Sequence, residues 1–304
     1  MRKKDLAVLI LAAGKGERMR SDRHKVLHPL SGKPLLAHVL ETVKQVKPKK
    51  LVMLVGHKAK EIQNRFAHEK IIWAEQRPAL GTAHAVICGL NVLKSFHGEL
   101  YIQSGDVPFV RLETIRNMQE LLTKEEASLV LLTTRMSRPT GYGRILRNAR
   151  GWVERIVEEK DADEKTRKIQ EINAGIYLCR VDDVREPLKR IKKNVLKGEY
   201  YLTDLIEELH RDGKKVVSAS VEDSSEVMGI NSQEELAQAD QILQKKIKAS
   251  WMEQGVTMVM PDSIYIESSV TLTSGVTLYP GVILSGQTKI DGGTEIFAYS
   301  VIED

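Results

Sequence analysis

The chain has 304 residues, enough to bury a substantial core and to hold two domains. With 42% hydrophobic and 29% charged residues it has the composition of a globular protein, and no apolar run reaches the roughly 20 residues that span a bilayer, so no membrane partner is expected. The net charge of +5 is unevenly spread: residues 1–50 carry 13 Lys and Arg against 4 Asp and Glu, and residues 262–304 carry 1 against 6.

The start, MRKK followed by LAVLILAA, mimics a secretion signal. Its apolar run ends in a basic glycine turn rather than a cleavage site, so a buried strand over Leu6–Leu11 is the better reading. Pro34 opens a helix, PLLAHVLETVKQV, that ends before Pro48. A strand at 51–56, a helix near 58–67, a strand at 71–75, a helix from Thr82 to about Lys94 and a strand at 99–103 follow. A helix near 111–123 and a strand at 128–134 complete an alternating pattern. That pattern predicts an α/β, Rossmann-like domain with a mostly parallel sheet and ligands at the carboxyl ends of its strands. Residues 140–230 are less regular: a hairpin over 141–159, a strand over 172–180 and a helix in 200–213 stopped by Gly213. Ser232 caps a long helix that predicts a linker over 231–255.

After Val256 the period changes. Ile266, Leu272, Leu278, Leu284, Ile290, Ile296 and Ile302 each lie six residues from the last. Ile264, Val270, Val276, Val282, Thr288, Thr294 and Ser300 precede them by two. A period of six is that of a hexapeptide β-solenoid, three hexads to a coil. So short a solenoid should pack against other copies.

Gly14-Lys15-Gly16-Glu17-Arg18-Met19 begins like a dinucleotide fingerprint, but Met19 stands where the third glycine belongs, and no acid ends the next strand. The Walker pattern is also missing. What remains is a phosphate-holding loop of backbone N–H groups with cations around it. Nucleic acid is not expected, because no aromatic stacking platform accompanies the cations. Cys88 and Cys179 lack CxxC spacing, which argues against a zinc site or disulfide framework and suits a cytoplasmic location.

LAAGKGERM, Lys25-Val26-Leu27 and GKPLL resemble the start of the sugar-1-phosphate nucleotidyltransferases. EQRPALGTAHA, SGDVPF, TGYGRI, IVEEKDA, QEINAGIY, GEYYLTD and GIN follow in that family's order and spacing. With the hexads, the chain resembles the bifunctional N-acetylglucosamine-1-phosphate uridyltransferase/glucosamine-1-phosphate acetyltransferase family over its whole length. The resemblance implies a nucleotidyltransferase domain over 1–230 and a left-handed parallel β-helix over 256–304. The implied substrates are UTP and N-acetylglucosamine-1-phosphate, Mg²⁺ is the implied cofactor and a homotrimer the implied assembly.

Carried over by matching position, Leu11, Ala12, Ala13 and Gly14 wrap the nucleotide, Arg18 and Lys25 contact phosphates, and Gln76, Gly81 and Thr82 match further nucleotide contacts. Gln76 matches the residue that reads uracil; an amide offers both a donor and an acceptor. Asp106 and Asn231 match two Mg²⁺ ligands, and Ser104, Gly105, Gly143, Glu158 and Asn173 match sugar contacts. By itself Glu158 would read as one solvent-facing acid in EEKDADEK. His84, on a helix face, reads as structural, and the resemblance gives it no chemical role. Three departures stand out. His24 replaces a usual proline, and Ser104 replaces a tyrosine found in some members. The sequence ends at Asp304 within the hexads, before the coils where that family places its acetyltransferase site. Uridylyl transfer without acetyl transfer is therefore expected.

Overall fold

The computed structural model describes residues 5–194 and 198–304; the basic start of the signal-like segment, residues 1–4, lies outside them. The chain forms two compact units: Met1–Lys15 with Val39–Gly229, and Gly16–His38 with Ile230–Asp304. In chain order the elements begin with β1 (Leu6–Ala12), β2 (Pro29–Leu30), β3 (Lys33–Pro34), α1 (Leu35–Gln45), β4 (Lys50–Val55), α2 (Ala59–Arg65) and β5 (Ile72–Glu75). Next come α3 (Thr82–Asn91), β6 (Glu99–Ser104), α4 (Leu112–Lys124), β7 (Leu129–Arg135), β8 (Arg144–Arg147), β9 (Val153–Val157) and α5 (Glu164–Arg167). Then follow β10 (Glu171–Arg180), α6 (Val181–Arg190), α7 (Asp204–Arg211), β11 (Val216–Val221) and α8 (Gln233–Glu253).

The first unit is built on one sheet in the order β11-β7-β10-β6-β1-β4-β5, with the β8–β9 hairpin joined to β10. The neighbours of β1, β4 and β6, run parallel to it, while β10 is antiparallel to β6 and β7. This mixed sheet with a mostly parallel centre agrees with the alternating sequence pattern. Ala7 to Ile10 of β1 are fully buried, as expected for an aliphatic strand covered on both faces.

Several elements were absent from the sequence reading, among them the β2–β3 hairpin, α5, α6 and β11. Pro187 lies inside α6, and an internal proline reads as a break because it lacks an N–H. In β11, VVSASV carries a serine at two of its six positions and follows a charged turn. The helix expected from Pro34 starts at Leu35 because Pro34 pairs in the β2–β3 hairpin. The helix in 200–213 shortens to Asp204–Arg211 because the backbone of Tyr200 bonds Leu80 and Ala83 instead.

In the second unit, α8 opens with a full capping box: Ser232 accepts from Glu235 N, and Glu235 accepts from the cap backbone. Each hexad aliphatic ends a two-residue strand, from Tyr265–Ile266 to Val301–Ile302. The strands pair in parallel eighteen residues apart, Tyr265 with Ile283 and Ile283 with Val301, so three hexads close one coil. Their inward side chains form a continuous core with Ile247 and Trp251 of α8 packed against it. Buried Gln244 exchanges hydrogen bonds with the backbone of Ile266, at 2.7 and 3.0 Å. Lys248 donates to the Pro261 and Ile264 carbonyls at 2.6 and 3.1 Å. Thus α8 satisfies backbone groups that the first coil would otherwise leave open.

Candidate active site

In the first unit, two segments leave one edge of the parallel sheet together. Leu11 pairs with Ser104 across β1 and β6, and the Leu11 carbonyl accepts from Gly105 N at 2.9 Å. The Leu11–Gly14 turn and the Ser104–Gly105–Asp106 turn are therefore neighbours at the carboxyl ends of their strands, where ligands of such sheets bind. Ala12 and Ala13 are buried and Gly14 is exposed. Asp106 is buried on its turn, which a short relay holds. The Tyr101 hydroxyl donates to Gln103 Oε1 at 2.8 Å, and Gln103 Nε2 donates to the Val107 carbonyl at 2.7 Å. Burial and then the Glu226 charge push the Tyr101 hydroxyl well above its ordinary pKa, so it remains a donor. Sequence reasoning missed Gln103; its signal was a lone amide at the end of a buried apolar strand.

Gln76 follows β5 and is buried, its backbone N donating to Val55 O at 2.9 Å. Its side-chain Nε2 donates to the Gly81 carbonyl at 2.9 Å and lies 3.2 Å from His84 Nδ1. Gly81 has φ +94°, and a Cβ there would fall 2.5 Å from the Tyr200 carbonyl oxygen. Beside it, Thr82 Oγ1 accepts from Leu202 N at 2.9 Å. The glycine of GTAHA is thus needed for conformation and for the close passage of residues 199–202.

A second group joins three separated segments. Asn173 N donates to the Gly143 carbonyl at 2.9 Å. A Cβ at Gly143 would stand 3.7 Å from the Glu158 carboxyl. Thr203 Oγ1 donates to Glu158 Oε1 at 3.2 Å, and Asn173 Nδ2 donates to the Tyr177 hydroxyl at 2.9 Å. Buried Arg144 steadies this hairpin: it donates to the Tyr142 carbonyl and pairs with Glu159 at 2.6 Å. Asp204, at the start of α7, has its pKa pushed up to about 6 by burial, then by the nearby charges of Glu207 and Glu158. Thr203, Tyr177 and Asp204 were not singled out from sequence, since none stands out without its neighbours.

Arg18, Lys25 and Asn231 belong to the second unit. Arg18 is exposed on a one-turn helix, Glu17–Met19. Gly16 has φ +65°, and a Cβ there would meet the Lys25 Cβ at 2.7 Å. Lys25 Nζ donates to Asn231 Oδ1 at 3.0 Å. Asn231 is anchored in turn: its N donates to Glu235 Oε2 at 2.6 Å, while Gln233 Nε2 donates to the Met19 carbonyl at 3.1 Å. The glycine loop is thus seated on the start of α8. His24 is 2% exposed and caps the turn Lys25–Leu27, its Nδ1 accepting from Val26 N at 3.4 Å. An imidazole cap does here what the usual proline does by fixing φ.

Among the described residues no group of three or more His, Cys, Asp or Glu could enclose a metal ion. Asp106 and Asn231 each bring an oxygen, the donor type that suits Mg²⁺, which takes few protein ligands and fills its other places with water and phosphate.

An α/β sheet with a glycine turn and an acidic turn on adjacent parallel strands has the layout of a nucleotidyltransferase. Residues 8–192 match the family described as MobA-like NTP transferase domain. The chain is 42% identical over 300 residues to the bifunctional protein GlmU of Geobacter metallireducens, covering 98% of this chain and 63% of that protein. It is 40% identical over 296 residues to the GlmU protein of Enterococcus faecalis, covering 97% and 64%. It therefore spans a little under two thirds of the length of these curated relatives. By fold it is similar to a UDP-glucose pyrophosphorylase solved with UDP-glucose, at TM-score 0.64 and 17% identity over 80% of this chain and 99% of that one. The chain belongs to the MobA-like NTP transferase family and is a nucleotidyltransferase, similar in sequence to GlmU proteins along nearly its whole length.

Proposed function

We propose that the protein transfers the uridylyl group of UTP to N-acetylglucosamine-1-phosphate, giving UDP-N-acetylglucosamine and pyrophosphate for cell-wall precursor synthesis. The observation that carries this reading is the cluster of Gly143, Glu158, Asn173 and Thr203. It gathers hydroxyl, amide and carboxylate groups of the kind a hydroxyl- and acetamido-bearing sugar requires. A phosphate oxygen of the sugar phosphate attacks the α-phosphorus of UTP, and the bond to the pyrophosphate oxygen breaks. That nucleophile is anionic near neutrality, so no general base is needed. The protein's task is to align the reactants and neutralise charge. Lys25 and Arg18 would meet the phosphates, and the backbone of Leu11–Gly14 would lie along them. On the family resemblance, Asp106 and Asn231 would hold Mg²⁺. Once bound, Mg²⁺ supplies positive charge to the triphosphate.

We also propose a cytoplasmic homotrimer. Met260, Phe297, Tyr299 and Val301 are exposed on the hexads, which suits burial against other copies, and both cysteines are free.

Pyrophosphate release from UTP and N-acetylglucosamine-1-phosphate tests the reading, with glucose-1-phosphate as the competing acceptor and acetyl-CoA consumption measured beside it. Asp106→Asn should lower turnover by about a hundredfold or more, the scale of losing one charge-stabilising group, with little change in melting temperature. Near-normal activity in that variant would overturn the metal assignment.

A further inference from the structure

Gln76 is the residue given the base-reading role, and an amide can in principle offer either of its ends. The surroundings of Gln76 remove that freedom. Its Nε2 lies 2.9 Å from the carbonyl oxygen of Gly81, a group that can only accept. Were the amide turned over, two oxygens would face each other at that distance, so the nitrogen end must point inward. The same nitrogen lies 3.2 Å from His84 Nδ1. An amide nitrogen only donates, so Nδ1 must accept. His84 is then neutral and carries its proton on Nε2, which faces Cys88 Sγ at 3.7 Å. A sulfur at that distance serves as the weak acceptor that completes the set. His84 and Cys88 share a face of α3, four residues apart, so the helix fixes the geometry.

We infer that His84 is a positioning residue for nucleotide selection: by accepting the second N–H of Gln76 it leaves the side chain with only its carbonyl oxygen to offer. Both N–H bonds are consumed, one by Gly81 and one by His84. An outward acceptor matches the N3–H of uracil. In cytosine the corresponding ring atom is itself an acceptor and is opposed. Discrimination thus comes from withholding the donor end of the amide, which the Gly81 carbonyl orients and His84 Nδ1 occupies in full. This inference rests on the proposed base-reading role of Gln76. It gives a chemical task to a histidine that reads from sequence as a structural one.

The test compares UTP with CTP, by calorimetric binding to the intact protein and by pyrophosphate release. His84→Leu removes the acceptor at similar size. It should raise the KM for UTP about tenfold, change kcat much less, and narrow the UTP-over-CTP preference about tenfold. His84→Asn, which can still accept from the Gln76 amide, should retain most of the preference, a rescue that simple loss of packing would not give. Melting curves confirm that each variant is folded. The inference is overturned if folded His84→Leu keeps both the UTP affinity and the UTP:CTP ratio within twofold of the parent. Gln76→Ala separates the two levels. If that variant also keeps the UTP:CTP ratio, the base-reading role of Gln76 is wrong. If it loses the ratio while His84→Leu keeps it, only the role of His84 is wrong.

Discussion

The two compact units are specified in different ways. In the hexad unit every coil repeats the last, and each inward aliphatic finds partners eighteen residues away. Its core can be read position by position from a single period. The sheet unit is assembled from distant pieces: the 80–83 turn is bonded to residues 200–202, and Asn173 to Gly143. Where contacts repeat locally, pattern suffices. Where they join remote segments, residues of ordinary appearance such as Thr203 acquire their role from whatever the fold sets beside them.

Three substitutions probe this contrast, taken from the largest expected effect to the smallest. Leu278 is fully buried among the hexad aliphatics. Leu278→Ala should cost about 2–5 kcal/mol, the usual range for emptying such a site. Faster hydrogen exchange concentrated in amides 256–304 would show that the loss stays with the repeat. Uniform acceleration throughout the chain would contradict the local reading.

In the sheet unit, Gly81→Ala forces a side chain into a left-handed conformation with the Tyr200 carbonyl in its path. The dihedral alone costs about 1–3 kcal/mol, and residues 199–202 must also move. Both the melting temperature and the apparent affinity for UTP should fall. A variant with unchanged melting would mean that the junction with residues 199–202 is slack.

Asp204→Asn should be the mildest and should depend on pH. The folded-state pKa of about 6 lies above the ordinary aspartate value of 3.8. Burial therefore favours the protonated acid, and its contribution to stability is present below about pH 4 and lost as pH rises through about 6. Asn cannot ionise, so the variant should melt higher than the parent at pH 7–8 and about equally at pH 4. A gain at pH 4 that vanishes at pH 8 would reverse the assignment.

Much of the architecture was legible in the residues because it rests on short-range patterns. The aliphatic run Leu6–Leu11 has no side that tolerates water, and the glycine turn after it leads to the edge where such sheets bind ligands. The hexad period admits one kind of coil, and Ser232 with Glu235 announces the start of α8. The partners of the site side chains were not legible. Lys25 meets Asn231 across 206 residues. His24 departs from the family's proline yet caps the same turn, a substitution that looks anomalous until its ring is seen against Val26 N. Gln76 as a letter in the sequence is both donor and acceptor. The loop after β5 and the first turn of α3 bring Gly81 O and His84 Nδ1 against its nitrogen, which commits that nitrogen as donor and leaves the oxygen as the acceptor. Periodicity along the chain decides which residues are inside. Which atom of a polar group is left to meet a ligand depends on hydrogen bonds that form once the chain has closed on itself.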